Sequence, residues 1–233
     1  MLSFLIVYLM LLATESPTFN NMLKKKIGYN EAYSLKTPED SKKLYKKWAK
    51  TYDKEFAVNS NYLSPKKICI YFNKYSRKTD TPILDVGAGT GLVGEFLYKK
   101  GNKKIIGIDI SSEMLNEAKL KGCYSELIEA DITKKIPLKN DSIGAIVSAG
   151  TFTHGHVGAD AFDELFRITK PGGLFVLSIN SKVFVKGGFQ EKFLTMKNKI
   201  SSPLFKKFNA HNKHKNEIFN EVKIIAAIFR KKS

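Results

Sequence analysis

The chain has 233 residues, of which 43 % are apolar, and this is enough for one well-buried domain. Its two cysteines, Cys69 and Cys123, lack the spacing of a disulfide framework or a zinc site, and such usage is typical of a reducing cytoplasm. The net charge of +17 leaves nucleic acid, anionic lipid and acidic substrates open as partners. Because lysine is spread through every segment and arginine is scarce, a nucleic-acid partner is not favoured.

The first thirteen residues, MLSFLIVYLMLLA, are almost wholly apolar. The run is too short for a comfortable membrane span and lacks the basic flank of a signal peptide. Translation starting at Met22 would leave it outside the product; a weak membrane anchor or a signal are the alternatives. We expect no stable membrane insertion unless residues 1–13 are retained as an anchor, and we treat residues 1–36 as a tail and linker.

Two helices are predicted before the first strand. Thr37, followed by proline and two acids, is typical of a capped helix start. The helix then carries apolar side chains at four-residue steps, at Leu44, Trp48, Tyr52 and Phe56. A second start at Ser64 opens a helix that ends before residue 76, so residues 37–81 are predicted to form a helical cap.

A glycine-rich turn follows a short buried strand at Ile83, Leu84 and Val86. Gly87, Gly89 and Gly91 occupy alternate positions and lead into an amphipathic run over 92–100. Glycine lets the backbone approach a ligand closely, and the following helix presents its unpaired N–H groups there. The unit predicts a site for a nucleotide-like cofactor.

Strand and helix patterns then alternate up to residue 180, which predicts a parallel sheet with right-handed crossovers. Asp109 ends the second strand, about twenty residues past the turn, where a carboxylate accepts hydrogen bonds from ribose hydroxyls. Asp131 follows the third strand, predicted over 124–128. Residues 170–173 (KPGG) predict a tight turn before the fifth strand.

Beyond residue 180 the pattern is weaker. A helix over 189–200 and strands over 203–210 and 222–229 are predicted, the two strands as an antiparallel hairpin. The expected fold is α/β: a Rossmann-like, doubly wound, mostly parallel seven-stranded sheet with a C-terminal antiparallel hairpin and an N-terminal helical cap. We expect one domain over 37–233.

These motifs together resemble the class I S-adenosylmethionine-dependent methyltransferases. The resemblance rests on the segment 85–91 (DVGAGTG), Asp109, Asp131 with Ile132, the segment 148–150 after the fourth strand, and the turn 170–173. More narrowly, the segments 35–40 (LKTPED), 48–53 (WAKTYD) and 148–158 (SAGTFTHGHVG) resemble the Williams-Beuren-region methyltransferase-like group.

The resemblance implies S-adenosyl-L-methionine as cofactor and assigns a role to particular residues. Asp85, Gly87, Gly89 and Ser148 would lie at its methionine end, with Tyr52 closing over it. Its ribose would bind Asp109. Around the adenine would lie Ile110, Met114, Asp131 and Ile132, and the implied cofactor site also includes Gly91.

A dinucleotide-dependent oxidoreductase is the alternative for the same unit, because Gly89, Gly91 and Gly94 fit the G-x-G-x-x-G spacing. Asp85 and Asp131 favour the methyltransferase, since they suit an amino-acid tail and an adenine better than a pyrophosphate. We expect methyl transfer to an O- or N-nucleophile of a small molecule, with an RNA methyltransferase or a non-catalytic binding module as competitors.

The segment just after the fourth strand holds two histidines, His154 and His156. Histidine titrates in the range that suits a general base, so either side chain could contact or deprotonate the methyl acceptor. A purely structural role in a glycine-rich loop is the alternative. The H-x-H spacing lacks a third ligand nearby, and we predict no metal site.

Overall fold

The structure is a computed structural model, and the residues it describes are 35, 37–153, 157–212 and 221–232. The helices are α1 (Pro38–Tyr52), a π-helical turn (Asp53–Val58), α2 (Ser64–Tyr75), α3 (Leu92–Lys99), α4 (Ser112–Leu120), α5 (Ala161–Ile168) and α6 (Phe189–Thr195). The strands are β1 (Ile83–Val86), β2 (Ile105–Asp109), β3 (Glu126–Glu129), β4 (Ile143–Phe152), β5 (Thr169–Asn180), β6 (Leu204–Asn209) and β7 (Lys223–Arg230).

The seven strands form one sheet in the order β3-β2-β1-β4-β5-β7-β6. The first five pair in parallel, and β7 pairs antiparallel with both β5 and β6. The chain moves outward from β1 to β3 and then returns to place β4 on the other side of β1. In such sheets ligands bind outside the carboxyl ends of the strands, at this reversal. The predicted fold class is confirmed.

Helices cover both faces of the sheet. On one face, Ile68 and Phe72 of α2 and Leu97 of α3 pack against alternate strand residues, and all are buried. On the other face, Phe162 of α5 and Phe189 of α6 belong to a larger cluster. Side chains along β1 point to alternate faces of the sheet because the strand is pleated. Ile83 therefore belongs to the first cluster, and Leu84 and Val86 belong to the second.

The N-terminal helices have different positions. The capping box at Thr37 is present: its hydroxyl accepts from the Asp40 N–H, and its own N–H donates to the Asp40 carboxylate, each at 3.1 Å. Helix α1 then packs along α4, whereas α2 lies on the sheet as a structural layer. The boundary between a tail at 1–36 and a domain at 37–233 stays a prediction, because residues 1–34 and 36 lie outside the described residues.

Three local predictions need correction. Residues 170–173 do not form a turn before the fifth strand; they bulge within β5, since Ile143 pairs with Thr169 but Ala145 pairs with Leu174. Helix α6 ends at Thr195 instead of running to residue 200, because Ile200 forms a bridge with Lys231. The third strand begins at Glu126, two residues later than predicted. Among the described residues, no helix has the length and apolarity needed to cross a membrane.

Candidate functional site

A cleft opens at the carboxyl ends of β1, β2 and β4, where the strand order reverses. Its volume is about 960 Å³ including the open mouth. The glycine turn after β1 forms its floor, the residues after β2 and β3 form one end, and α1 covers it. We call this space the cofactor cleft.

Two glycines of the turn line this cleft for different reasons. A Cβ at Gly87, whose φ is +67°, would overlap the Thr151 side chain, so the absence of a side chain lets β1 and β4 approach each other. A Cβ at Gly89, with φ of +53°, would meet no protein atom within 4 Å. It would project into open space, and bare backbone at this point therefore leaves room for a ligand against the turn.

The third predicted glycine does not line the cleft. Gly91 packs against Ala118, 3.2 Å from an added Cβ, and against Tyr124. Gly94, the last glycine of the dinucleotide-like pattern, also makes room for the Tyr124 ring. The Tyr124 hydroxyl accepts from the Gly94 N–H and donates to Asp85 at 2.7 Å. Two glycines of the dinucleotide-like pattern, Gly91 and Gly94, thus lie against one tyrosine beneath the turn.

Asp85 lies below the turn and is fully buried, and it is not among the lining residues of the cleft. Burial raises the pKa of Asp85 to about 7, although the hydrogen bond from Tyr124 opposes this rise. Its Oδ1 has no hydrogen-bond partner among the described residues. An unpaired buried oxygen next to the glycine turn is costly, so this carboxyl is suited to receive a donor from a ligand or through water.

Asp109 lines the cleft at the end of β2. Oδ2 accepts from the Gly89 N–H at 2.8 Å, and Oδ1 accepts from the Ser111 N–H at 3.0 Å. Burial raises the pKa of this carboxyl despite these hydrogen bonds. Asp109 therefore braces the glycine turn and the start of α4, and each oxygen keeps a second lone pair that can accept from a hydroxyl.

The end of the cleft near β3 combines apolar walls with one carboxylate. Ile110, Met114 and Ile132 line it, the last two almost fully buried. Asp131 accepts from the Thr133 N–H at 2.9 Å and hydroxyl at 2.6 Å. Burial opposes ionisation, but these hydrogen bonds and Lys134 keep the pKa of Asp131 below its usual value. Apolar walls with an ionised acceptor beside them suit a purine that carries an amino group.

Strand β4 contributes residues to the cleft through a bulge. Ser148 pairs with Leu177 but Phe152 pairs with Ile179, so extra residues on β4 are pushed out of the ladder. The bulged residues Ala149 and Thr151 line the cleft, whereas Ser148 is fully buried with its hydroxyl 2.8 Å from the Val86 carbonyl. The predicted serine therefore supports β1 from behind, and the half-buried Thr151 lines the cleft.

Helix α1 closes the cleft from above with Tyr45 and Tyr52, and Ser41 faces it from the same helix. The Ser41 hydroxyl is buried without a hydrogen-bond partner among the described residues. At the end of α1, Asp53 accepts a hydrogen bond from Thr90 of the glycine turn and pairs with Lys121 at 2.6 Å. This contact fastens the covering helix to the turn and to the end of α4.

Eight of the eleven predicted cofactor residues line this one cleft: Tyr52, Gly87, Gly89, Asp109, Ile110, Met114, Asp131 and Ile132. Asp85, Gly91 and Ser148 lie behind it. His154 and His156 lie outside the described residues. Within the described ranges, no group of side chains is arranged to ligate a metal ion. Lining residues that the motifs did not indicate include Ser41, Tyr45, Tyr62, Thr151 and Val157. Tyr45 was detectable as a further aromatic residue in the α1 pattern; Tyr62 carried no local signal.

A second, smaller space adjoins the cleft, with a volume of about 540 Å³ including its opening. The two spaces share Tyr45, Tyr52, Tyr62 and Gly150. Its remaining walls come from Trp48 of α1, Phe56 of the π-helical turn, the ends of β4 and β5, the segment around His211, and Ile224 of β7. We call this space the aromatic chamber.

Comparisons with known proteins agree with this geometry. The family model of a methyltransferase domain matches residues 84–177. The chain is 32 % identical to human methyltransferase-like protein 27 over 146 residues, which are 60 % of this chain and 59 % of the relative. This match is compatible with the narrower resemblance to the Williams-Beuren-region group.

Two further relatives have different named activities. A ubiquinone/menaquinone biosynthesis C-methyltransferase of Campylobacter jejuni is 30 % identical over 63 % of this chain and 65 % of its own length. An 18S rRNA (guanine-N(7))-methyltransferase of Bos taurus is 39 % identical over 28 % of this chain and 23 % of its own length. The chain thus spans less than two thirds of the length of these relatives.

Among solved structures, an S-adenosylmethionine-dependent methyltransferase from Aquifex aeolicus matches with a TM-score of 0.54 and 19 % identity, over 79 % of this chain and 97 % of that one. At this identity the likeness concerns the fold. The matched family model and the strand-end carboxylates lead to one assignment: residues 84–177 are a methyltransferase domain of the class I, S-adenosylmethionine-dependent type.

Proposed function

We propose that the protein transfers a methyl group from S-adenosyl-L-methionine to an oxygen or nitrogen nucleophile of a small molecule. The observation that carries this proposal is the cofactor cleft, in which an open backbone position at Gly89 lies beside carboxylates that follow the next two strands, β2 and β3. We place the activity in the cytoplasm, in keeping with two buried free cysteines.

The cleft fits the cofactor in each of its parts. The backbone at Gly87 and Gly89 would hold the methionine end, and the buried Asp85 Oδ1 behind the turn would accept from its amino group through water. Asp109 would accept from the ribose hydroxyls, and Asp131 from the adenine amine. When bound, the cofactor supplies an electrophilic methyl group, so the protein needs mainly to bind, align and exclude water.

The role of His154 or His156 at the acceptor stays part of this proposal. Both follow β4 in the sequence, and the bulge of β4 lines the cleft. Replacing each by alanine should lower turnover without changing cofactor affinity, and unchanged turnover in both variants would rule out this role.

Calorimetric titration of the full chain with S-adenosylmethionine, S-adenosylhomocysteine and NADH tests the cofactor. We expect binding of the first two and none of NADH. Asp109→Asn should weaken binding by about tenfold or more, because a ribose acceptor is lost. Glu117→Gln on α4, outside the cleft, is the matched control and should bind as the wild type does. If NADH binds and the other two compounds do not, the proposed function is wrong and a dinucleotide-dependent oxidoreductase is favoured.

An RNA acceptor is the second candidate, because the helix that covers the cleft carries a basic surface. Lys43, Lys47 and Lys50 of α1 are exposed, and one relative is an rRNA methyltransferase. If RNA is the acceptor, binding should weaken steeply with salt, since phosphate contacts release counterions. Replacing the three lysines by glutamine should then abolish RNA binding and leave cofactor binding unchanged.

A further inference from the structure

Helix α1 crosses the cofactor cleft in a defined direction. Near its first turn, Lys42 pairs with Glu129 at the carboxyl end of β3, at 2.7 Å. Just past its last residue, Asp53 accepts a hydrogen bond from Thr90 of the glycine turn. The amino-terminal part of α1 therefore lies over the end of the cleft near β3, and its carboxyl-terminal part lies over the glycine turn.

One face of α1 is turned toward the cleft. Ser41, Tyr45 and Tyr52 all line it. Their side chains share one side of the helix, because an α-helix completes a turn in about 3.6 residues. Ser41 comes first along the chain, so it occupies this face at the end of the cleft near β3, where Asp131 and Ile132 also line the wall.

The Ser41 hydroxyl is not used by its own helix. A helical serine often donates to the carbonyl oxygen four residues earlier, but here that oxygen, on Thr37, accepts from the Ser41 N–H at 3.2 Å. Ser41 is 5 % exposed, and its Oγ has no hydrogen-bond partner among the described residues. Because a buried hydroxyl without a partner is costly, its place in the wall of a ligand cleft indicates a ligand group that pairs with it.

The adenine of the cofactor has a hydrogen-bonding requirement that Asp131 alone does not meet. The adenine amino group carries two N–H bonds. Asp131, whose pKa lies below its usual value, offers an ionised acceptor to one of them. The second N–H would be covered by α1, and a buried donor without an acceptor loses free energy. A serine hydroxyl has lone pairs that can accept it.

We propose that Ser41 Oγ accepts the second N–H of the adenine amino group, so that the covering helix α1 takes part in recognising the base. This rests on the proposed methyltransferase function. Asp131 and Ser41 then bind the two N–H bonds from different elements, the segment after β3 and the covering helix. A purine with hydrogen in place of the amino group leaves both acceptors without a donor, so the cleft distinguishes it from adenine.

Calorimetry with two ligands tests this contact. We would titrate the full chain with S-adenosylhomocysteine and with its deamino analogue, in which hydrogen replaces the adenine amino group. The wild type should bind S-adenosylhomocysteine about tenfold or more tighter than the analogue, because the analogue makes two hydrogen bonds fewer. Ser41→Ala should weaken binding of S-adenosylhomocysteine by about threefold to tenfold. It should not weaken binding of the analogue, which makes no bond to Ser41.

Thr51→Ala is the matched control, because Thr51 also carries a hydroxyl on α1 but lies outside the cleft. This variant should bind both ligands as the wild type does. Unchanged affinity of Ser41→Ala for S-adenosylhomocysteine would overturn the inference. Loss of the same factor for both ligands would also overturn it, since Ser41 would then act only through the packing of α1.

Thermal unfolding separates binding from a structural role. Without ligand, Ser41→Ala removes a buried hydroxyl that has no partner, so the variant should be at least as stable as the wild type. The rise in unfolding temperature caused by S-adenosylhomocysteine should be smaller in the variant, because this rise follows the affinity. A variant that unfolds at a lower temperature without ligand, and shows an unchanged rise with ligand, would contradict the proposed contact.

The two proposals fail separately. If S-adenosylhomocysteine does not bind the wild type, the proposed function is wrong and the contact is wrong with it. If it binds the wild type and Ser41→Ala equally well, the proposed function stands and only the contact from α1 is wrong.

Discussion

The cofactor cleft and the aromatic chamber share a wall, but they are assembled in different ways. The cleft is built mainly from segments that follow successive parallel strands, so each contributes a short local motif at one edge of the sheet. The chamber joins the π-helical turn, the ends of β4 and β5, and His211, which are far apart in sequence. Local motifs can therefore reveal the cofactor cleft while leaving the adjoining chamber hidden.

The largest expected effect comes from the contact that joins β1 to β4 and so supports both spaces. Gly87→Ala would force a Cβ into Thr151 at a positive φ. We expect a loss of roughly 2–4 kcal/mol in the free energy of unfolding, from overlap and backbone strain. Denaturant unfolding followed by circular dichroism measures this. A Gly87→Ala protein of wild-type stability would show that the two strands can separate, contrary to the structure.

Asp85→Asn separates stability from cofactor binding. The folded protein holds the Asp85 proton up to about pH 7, above its usual pKa of 3.8, so this group's contribution to stability is lost as pH rises through that window. At pH 8 the variant should be more stable than the wild type, by the order of 1–4 kcal/mol. It should also bind S-adenosylhomocysteine more weakly.

Thermal unfolding between pH 5 and pH 8 would follow the difference between wild type and Asp85→Asn. We expect the advantage of the variant to grow with pH and to level off above the folded pKa of about 7. A difference that does not change with pH would mean that Asp85 stays ionised in the folded protein.

Gly89→Ala tests the cleft alone, with Gly122→Ala as its matched control. Both glycines have positive φ, +53° and +61°, and an added Cβ meets no protein atom within 4 Å at either position. Each variant should therefore lose about 1–2 kcal/mol of stability from backbone strain. Gly89→Ala alone should weaken cofactor binding, by about tenfold or more, because its Cβ enters the cleft. Equal affinities in calorimetry would mean that no ligand approaches the turn.

The smallest effect concerns the helix that covers both spaces. Asp53→Asn removes the pair with Lys121 and weakens the contact with Thr90, so α1 should open more often. We expect faster hydrogen exchange in α1 and about threefold to tenfold weaker cofactor binding. The control is Lys42→Met, which removes an exposed pair with Glu129 on the same helix and should change neither.

The parallel sheet could be predicted from alternating strand and helix patterns, and the cofactor cleft from carboxylates and glycines placed directly after strands. The bulge in β4 could not, because Gly150, at φ of +90°, suits a turn after the strand as well as a bulge within it. The consequence of the bulge is that Thr151 lines the cleft and Ser148 does not. The bulge at 170–173 was predicted as a turn for a related reason: glycine at positive φ suits both.

The sequence by itself determined the fold class, the glycine turn and the acids at the ends of β2 and β3, because these depend on periodicity and on spacing within a single strand-turn-helix unit. Only the tertiary structure decided that Gly94 makes room for Tyr124, that Asp85 is buried beneath the turn, and that His211 lies beside Tyr62 and Phe56. The physical reason is that these arrangements arise from packing between segments distant along the chain. The spacing of residues along the sequence does not indicate which distant segments will be in contact.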